Sequence, residues 1–531
     1  MAKRKAGTAG GWRIRGEELW KSIQDLLPGV DVAAYKAHLL ALIFVRQATE
    51  AFDARREHLK AEFAHLPKES QRQYILDQHD QYRAHGVHWV DEQARWNWLT
   101  EAAVQDDISR RVDEAMVQLE NDNDDLQGVL PSGFAKLAEA KSGALAGLIT
   151  LVDALASDNA PDRKPGTENV LVQAYDYLIP RFADKEHDVK GISPTPPSVA
   201  ALMTELIEPG SGSVYDPCFG TGTLLASAAV FARRNGGEVA VFGQELRPEA
   251  WRVGQLNLSI RGVEIRAGEK AASTFTEDRH KSLTADFVLA NPEFNQPDWN
   301  GGGLTDDNRW QFGVPNAGNA NFAWIQHAIS KLGPQGAACV IMPTGSLSNN
   351  DGTNAKIREK LVTGGTLECV VTLPGNLFYG GNGAGAGIAS CLWIFRNGRN
   401  TAGTKNSVLF IDARDIAGTS VTRSRNELGF ADRQRITDVY HRWRGGTDGG
   451  YQDQPGRCRA ASIAEIEEHG WVLTPGRYVE QAEVMVDPEF TRQEIKRLTE
   501  NLREAFRESD RLQTSVLEQL DRLEPGDPQQ P

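Results

Sequence analysis

The feature that most constrains the fold is a glycine-rich turn, followed later in the chain by an Asn-Pro-x-aromatic tetrapeptide. The turn at Gly220 and Gly222 follows an apolar run and leads into an apolar helical segment. The tetrapeptide at residues 291–294 ends another apolar run. Each motif predicts a short strand whose end carries polar groups and glycine or proline. Together they predict one functional site that is built from the ends of both strands.

The sequence pattern of residues 167–480 is typical of a β-sheet covered by helices. Short apolar runs bounded by turn residues lie at residues 213–215, 239–242, 287–290, 338–342, 368–373, 390–395 and 408–412. Helical segments separate most of them, at residues 199–206, 225–235, 249–260 and 320–332. This alternation predicts an α/β fold with a mostly parallel sheet.

Different patterns flank this region and predict three domains. Residues 1–160 show helical periodicity with few β-branched runs, which predicts a helical domain. The polar, proline-marked segment 159–166 predicts a boundary. Residues 485–524 predict a long helix with an apolar stripe through Ile495, Leu498, Leu502 and Phe506. Periodicity alone leaves open whether this stripe packs on a partner or on the chain's own core.

Composition excludes several classes of protein. The five cysteines form no CxxC pair, which argues against a disulfide framework or a metal site and favours a reducing cytoplasm. No apolar run is long enough for a membrane span, and no secretory signal is present. A net charge of −14 argues mildly that, if nucleic acid is bound, another subunit helps to hold it.

The glycine turn predicts a site for a nucleoside cofactor. Its glycines let the backbone approach a ligand, and Glu245 ends the next predicted strand, where a carboxylate can accept bonds from ribose hydroxyls. The NAD fingerprint is incomplete, because Leu225 stands where its third glycine is required. The contacts predicted from this pattern are Asp216, Gly220, Thr221, Gly222, Thr223 and Glu245.

The tetrapeptide predicts a site for methylation of an exocyclic amine. The side-chain oxygen of Asn291 and the backbone carbonyl of Pro292 can accept both amine hydrogens and aim the nitrogen lone pair. Proline fixes φ and so helps to aim its carbonyl. Phe294 would stack on a base that has left the helix. The alternative interpretation is that Asn-Pro only marks a strand end and that Phe294 belongs to the core.

With these motifs in place, nearly the whole chain resembles the modification subunit of type I restriction–modification systems, an adenine-N6 DNA methyltransferase family. The matching segments lie at residues 19–20, 35–36, 42–44 and 88–90 in the N-terminal part, and at residues 215–218, 243–245, 251–252, 320–327, 373–375, 377–379, 410–414 and 473–478 in the rest of the chain. The resemblance implies a Rossmann-like methyltransferase domain that binds S-adenosylmethionine. It also implies that Thr195 and Pro196 contact this cofactor.

The same resemblance implies partners. These are DNA, a specificity subunit that reads the sequence, a second copy of this chain and, in some assemblies, a restriction subunit; no membrane is implied. No block after Phe294 resembles a separate target-recognition domain, which agrees with sequence readout by another protein. The long C-terminal helix is then expected to contact a partner.

Three departures from the family pattern keep other functions open. Glu293 replaces the second proline of the usual Asn-Pro-Pro-aromatic motif. Ser273 stands roughly where the family carries an acid, and the loop at residues 380–387 is rich in glycine. A scaffold or sensor that binds S-adenosylmethionine but transfers methyl weakly or not at all is one alternative. Methylation of RNA bases or of glutamine amides is another, since Asn-Pro-x-aromatic serves those reactions too.

Overall fold

A computed structural model of the chain describes residues 9–102, 107–141, 143–157, 169–185, 194–349, 351–378, 389–398, 406–416, 418–422, 425–445, 450–479 and 488–521. The predicted boundary at residues 159–166 and the glycine-rich loop at 380–387 lie outside them. Residue contacts divide the chain into two compact units, 1–479 and 480–531. Within the described part, no helix is both long and apolar enough to span a membrane.

The N-terminal part of the chain is helical, as predicted. Its helices are α1 (Ala9–Leu26), α2 (Val32–Glu62), α3 (Glu69–Leu76), α4 (Asp80–Arg83), α5 (Trp96–Ala102), α6 (Ile108–Asp122), α7 (Phe134–Ala140), α8 (Ala144–Ser157) and α9 (Val170–Lys185). Pro28 and Gly29 separate α1 from α2, and Gly29 has a φ of 75°. The Asp31 carboxylate then accepts from the Ala33 N–H at 3.1 Å, which caps the new helix.

A nine-stranded sheet forms the centre of the first unit, in the order β11-β8-β6-β7-β5-β4-β1-β2-β3. Its strands are β1 (Gly212–Asp216), β2 (Val239–Gly243), β3 (Ile265–Arg266), β4 (Ala285–Ala290), β5 (Leu332–Pro343), β6 (Leu367–Thr372), β7 (Ser390–Arg396), β8 (Ser407–Asp412) and β11 (Cys458–Ser462). Five strand pairs are parallel and three are antiparallel, so the predicted mostly parallel sheet is confirmed. A separate hairpin pairs β9 (Thr419–Thr422) with β10 (Arg425–Glu427).

Helices cover both faces of this sheet. They are α10 (Pro197–Ile207), α11 (Thr223–Arg234), α12 (Pro248–Ser259), α13 (Asn321–Ser330), α14 (Gly352–Thr363), α15 (Phe430–Arg444) and α16 (Ile463–Glu468). Side chains alternate between two cores along the central strand β5. Cys339 and Ile341 belong to one hydrophobic cluster, while Ala338 and Val340 belong to the other. This alternation is the period of two expected of a strand buried on both faces.

The first of the two clusters also contains side chains of the N-terminal helices, such as Leu39, Leu42 and Phe44 of α2. One hydrophobic core therefore runs from those helices to one face of the sheet. In the second unit, the described residues form the long helix α17 (Pro488–Asp521). Its existence confirms the predicted C-terminal helix.

Candidate functional site

The site lies where β1, β2 and β4 end, because parallel strands bring their carboxyl ends to one edge of the sheet. A cleft of about 140 Å³ opens there. The predicted residues that line it are Thr195, Asp216, Gly220, Thr221, Thr223, Glu245 and Asn291. The predicted cofactor turn and the predicted catalytic asparagine thus face one cavity.

The glycine turn packs tightly against α12. Gly220 and Gly222 have φ values of 54° and 76°, in the left-handed region that favours glycine. A side chain on Gly254 of α12 would lie 2.6 Å from the Gly220 carbonyl oxygen, so only glycine permits this approach. The Asn257 amide, one turn further along α12, donates to the Thr221 carbonyl at 2.7 Å. Gly254 and Asn257 were not predicted, because their role depends on a contact between distant segments.

Glu245 holds the turn from the end of β2. Its carboxylate accepts from the Gly220 N–H at 3.0 Å and, on the other oxygen, from the Arg247 N–H at 2.9 Å. The side chain is only 4% exposed. The neighbouring Leu246, by contrast, is 56% exposed and also lines the cleft. A fixed carboxylate beside an exposed apolar surface suits a nucleoside, with hydroxyls for the first and a base for the second.

Asp216 stands under the same turn, at the end of β1. Its carboxylate accepts from the Cys218 N–H at 2.9 Å. Burial, opposed by the bond from Cys218 and assisted by the charge of Glu245, raises the pKa of Asp216 to about 8. Asp216 is therefore held largely protonated near neutrality.

Asn291 directly follows β4 and is tied to the other side of the cleft. Its amide nitrogen donates to the Thr195 hydroxyl at 2.9 Å. Thr195 itself precedes α10, whose first turn begins at Pro197 with Pro196 as its N-cap. The bond uses the amide nitrogen, which leaves the amide oxygen as the acceptor that the predicted chemistry requires. A residue predicted to contact the cofactor thus orients the predicted catalytic residue.

Four predicted residues do not line the cleft: Pro196, Gly222, Pro292 and Phe294. Pro292 is buried. The half-buried Phe294 packs against the hydrophobic cluster that contains Cys339 and Ile341. In contrast, the two departures from the family pattern that the structure describes, Glu293 and Ser273, both line the cleft, and Glu293 is exposed.

A network of neutral amides fixes the chain just beyond the tetrapeptide. The Asn295 N–H donates to the Asn321 side-chain oxygen at 2.8 Å, and the Asn321 amide nitrogen donates back to the Asn295 side-chain oxygen at 2.9 Å. The Asn319 amide donates to the same oxygen at 3.1 Å. Asn295 has a φ of 56°, a conformation that asparagine tolerates better than most residues. The segment at residues 320–327 thereby holds the end of the tetrapeptide in place.

An aromatic wall completes the cleft and was not predicted. Thr274, Phe275, Gln296 and Trp324 line it alongside the predicted residues. The Phe275 and Trp324 rings lie 4.3 Å apart between centroids, and the Trp324 indole donates to the Gln296 side chain at 3.2 Å. Only the position of Trp324 within the segment 320–327 could have signalled this wall.

Comparison with known proteins supplies the relatives of the chain. The family model for the N-6 DNA methylase matches residues 166–487, and the model for the HsdM N-terminal domain matches residues 16–152. The type I restriction enzyme HindI methylase subunit of Haemophilus influenzae is 34% identical over 448 residues, which are 80% of this chain and 98% of that protein. The MjaIX methylase subunit of Methanocaldococcus jannaschii is 29% identical over 524 residues, which are 95% of this chain and 91% of that protein.

A solved structure shares the fold. It is the methyltransferase subunit of a type I restriction–modification system from Streptococcus thermophilus, 22% identical, with a TM-score of 0.70. The match covers 88% of this chain and 100% of the solved chain. The predicted α/β fold is confirmed by this likeness.

Proposed function

Because this chain belongs to the N-6 DNA methylase family, among the methylase subunits of type I restriction enzymes, we propose that it methylates adenine N6 in DNA with S-adenosylmethionine. The observation that carries the proposal is the bond between Asn291 and Thr195, which joins the catalytic tetrapeptide to the cofactor side of one cleft. Since host DNA is the substrate, the proposal also places the enzyme in the cytoplasm.

The residues of the cleft fit S-adenosylmethionine. Glu245, buried and fixed by two backbone N–H groups, would accept from the ribose hydroxyls with its remaining lone pairs. The exposed Leu246 would cover the adenine, and the turn from Gly220 to Thr223 would allow close approach to the rest of the molecule. Thr195 and Asp216 border the same space. When bound, the cofactor supplies a methyl group on a positively charged sulfur.

The chain's own residues would then position the acceptor amine. The Asn291 side-chain oxygen and the Pro292 carbonyl accept its two hydrogens, which turns the nitrogen lone pair towards the cleft. In that position the amine nitrogen would accept the methyl group that the bound cofactor supplies, and its surplus proton would leave to water. Correct positioning of the two reactants is the main contribution required of the protein, so no strong general base is needed.

Phe294 has two roles open to it in this proposal. It packs half-buried against the core, so it supports the tetrapeptide from behind. Stacking on a flipped base would require it to present its remaining exposed face. The buried, rigid Pro292 between Asn291 and Glu293 limits how far this segment can shift.

The proposed protein partner is the specificity subunit, and the proposed contact surface is α17. On that helix Ile495, Leu498, Leu502, Phe506 and Leu512 are each more than half exposed. They recur mostly at intervals of three and four, which places them on one side of a helix. An exposed apolar stripe of this length favours burial against another helix. A second copy of the chain and a restriction subunit complete the proposed assembly.

The second candidate function is a scaffold that binds S-adenosylmethionine without transferring methyl. Glu293 favours it, because an exposed carboxylate in the cleft stands where DNA phosphates must approach. Replacement of Glu293 by the proline usual in the family separates the two functions. The scaffold predicts that Glu293→Pro gains methyl transfer, whereas the enzyme predicts that the natural chain already has it.

The deciding experiment is transfer of labelled methyl from S-adenosylmethionine to DNA by the native complex. We expect label in N6-methyladenine, and its loss in Asn291→Ala. Asn235→Ala is the matched control, since Asn235 is an exposed asparagine at the end of α11, away from the cleft. Binding of S-adenosylmethionine and DNA with no transfer of label would reject the enzyme in favour of the scaffold.

A further inference from the structure

Arg309 lies in the connection between β4 and α13, and each of its five N–H groups has an acceptor. Its Nε donates to Asp307 Oδ1 at 2.8 Å, and its Nη2 donates to Asp307 Oδ2 at 2.7 Å and to the Phe275 carbonyl at 2.8 Å. Its Nη1 donates to the Thr274 carbonyl at 2.9 Å and to His327 Nδ1 at 3.1 Å. A guanidinium has five such donors, so this one is fully bonded.

Two of these acceptors belong to the wall of the cleft. Thr274 and Phe275 both line the cavity, and Arg309 holds their consecutive carbonyls from the protein side. The Thr274 hydroxyl in turn donates to the Pro217 carbonyl at 2.5 Å, which ties the wall to the residue after Asp216. Arg309 thus sets the backbone of the wall without lining the cavity itself.

Another acceptor, the His327 ring, links Arg309 to β1. Burial, with the charge of Arg309 as the next contribution, lowers the pKa of His327 to about 3, so the ring is neutral near pH 7. Because its Nδ1 accepts from Arg309, its Nε2 carries the proton and donates to the Tyr215 hydroxyl at 3.2 Å. Tyr215 directly precedes Asp216 in β1. One buried chain of bonds therefore joins the wall, α13 and the end of β1.

We propose that Arg309 is a positioning residue for the methyl-donor cleft: its guanidinium fixes the wall formed by Thr274 and Phe275 at the distance from β1 that S-adenosylmethionine requires. The inference rests on the proposed function. Arg309 also lies in the segment that follows the catalytic tetrapeptide. Its guanidinium therefore fixes the position of Thr274 and Phe275 relative to that segment. The expected consequence is a change in donor affinity rather than in the methyl-transfer step.

The test is the affinity of the full chain for S-adenosylmethionine, measured by calorimetry for the natural protein and for Arg309→Lys. Lysine keeps the charge but has no planar fork, so it cannot hold both carbonyls and Asp307 together. We expect Kd to rise about tenfold or more, equivalent to the loss of one hydrogen bond to a charged group. At saturating donor the methyl-transfer rate should fall much less than the affinity does.

Arg358→Lys is the matched control. Arg358 is fully buried and donates to the Trp471 and Ser346 carbonyls, neither of which lines the cleft. It therefore reproduces, elsewhere in the same unit, the loss of a guanidinium that holds two backbone carbonyls. An Arg309→Ala chain supplies a second readout, since added guanidinium ion should restore part of its donor affinity.

The outcomes separate this inference from the proposed function. If the natural chain does not bind S-adenosylmethionine, the proposed function is wrong, and this inference fails with it. If the natural chain binds and Arg309→Lys binds equally well, only the inference is wrong. Equal weakening by Arg309→Lys and Arg358→Lys would also overturn it, because the effect would then be general loss of stability.

Discussion

The two halves of the cleft are built from different chemistry. At the ends of β1 and β2, buried carboxyl groups of Asp216 and Glu245 flank the glycine turn. At the end of β4, neutral amides take their place: Asn291 bonds to a threonine, and Asn295 and Asn321 bond to each other. The hydrogen bonds named in the first half end on carboxyl groups, whereas those named in the second half join neutral groups.

The difference follows the charges of the proposed ligands. A methyl donor with a positively charged sulfur is compatible with the buried Glu245 carboxylate, and charges interact strongly where water is excluded. DNA is a polyanion, and a carboxylate beside its path is repelled. Amides provide directed hydrogen bonds with no net charge, so they can fix the base side without that repulsion. Glu293 is the exception, since it places a carboxylate on the amide half.

Glu245→Gln should give the largest effect on the charged half. Glutamine keeps the size of the side chain, but one acceptor for the Gly220 or Arg247 N–H becomes a donor. We expect affinity for S-adenosylmethionine to fall about 100-fold, because the substitution removes the negative charge of the carboxylate and one of its two bonds from backbone N–H groups. Calorimetry on the full chain checks this, with the exposed Glu249→Gln on α12 as control. Unchanged affinity would remove Glu245 from the proposed site.

Asn321→Ala tests the amide half. The substitution breaks the reciprocal bonds with Asn295, so the segment after the tetrapeptide is less well held. We expect the methyl-transfer rate to fall about tenfold, because misplacement of a catalytic group by a fraction of an ångström is costly. Donor affinity should stay unchanged, in contrast to Glu245→Gln, and Asn235→Ala again serves as control. A loss of donor affinity instead would show that the two halves are not separable.

The buried carboxyl of Asp216 predicts how stability depends on pH. Its folded pKa of about 8 lies above the ordinary value of 3.8, so the unfolded chain releases this proton first as pH rises. The free energy of unfolding should therefore be highest, for this group, below pH 4 and should fall between pH 4 and pH 8, by at most about 1.4 kcal/mol per pH unit.

Denaturant unfolding at several pH values checks this dependence. Asp216→Asn should lose this part of the slope, whereas Asp286→Asn, at the exposed end of β4, should keep it. Identical slopes for the natural chain and Asp216→Asn would contradict the assignment. Asn291, Asn295 and Asn321 are not ionisable, so none of these three side chains contributes to the slope.

Glu293→Gln should give the smallest effect. It tests the residue that places a carboxylate on the amide half of the cleft. Removal of one carboxylate from the cleft should strengthen DNA binding by the native complex a few-fold, and less at high salt, because the repulsion is screened. The exposed Glu269→Gln, which does not line the cleft, is the control. If salt does not alter the difference between Glu293→Gln and the natural chain, Glu293 does not face the DNA.

Local sequence patterns were enough to identify most strands and helices and the strand ends that carry the polar groups of the site. Strand and helix periods are local, so the runs from residue 213 to residue 412 identified β1, β2 and β4 to β8 without reference to the rest of the chain. Turn glycines and proline are local signals too, and they located Asp216, Glu245 and Asn291 at strand ends. The two-residue strand β3 and the antiparallel edge strand β11 were not predicted, because such short or partly polar segments have little periodicity.

Which of these residues contact one another depends on how distant segments pack in the folded chain. The bond from Asn291 to Thr195 joins positions 96 residues apart, and the bond from Arg309 to Thr274 joins positions 35 apart. The close approach of Gly254 to Gly220 likewise depends on how α12 packs on the turn. Phe294 shows most clearly what local sequence cannot predict, since an aromatic side chain can either stack on a base or pack in a hydrophobic core. Its packing is settled by the surrounding volume, which no local pattern of residues contains.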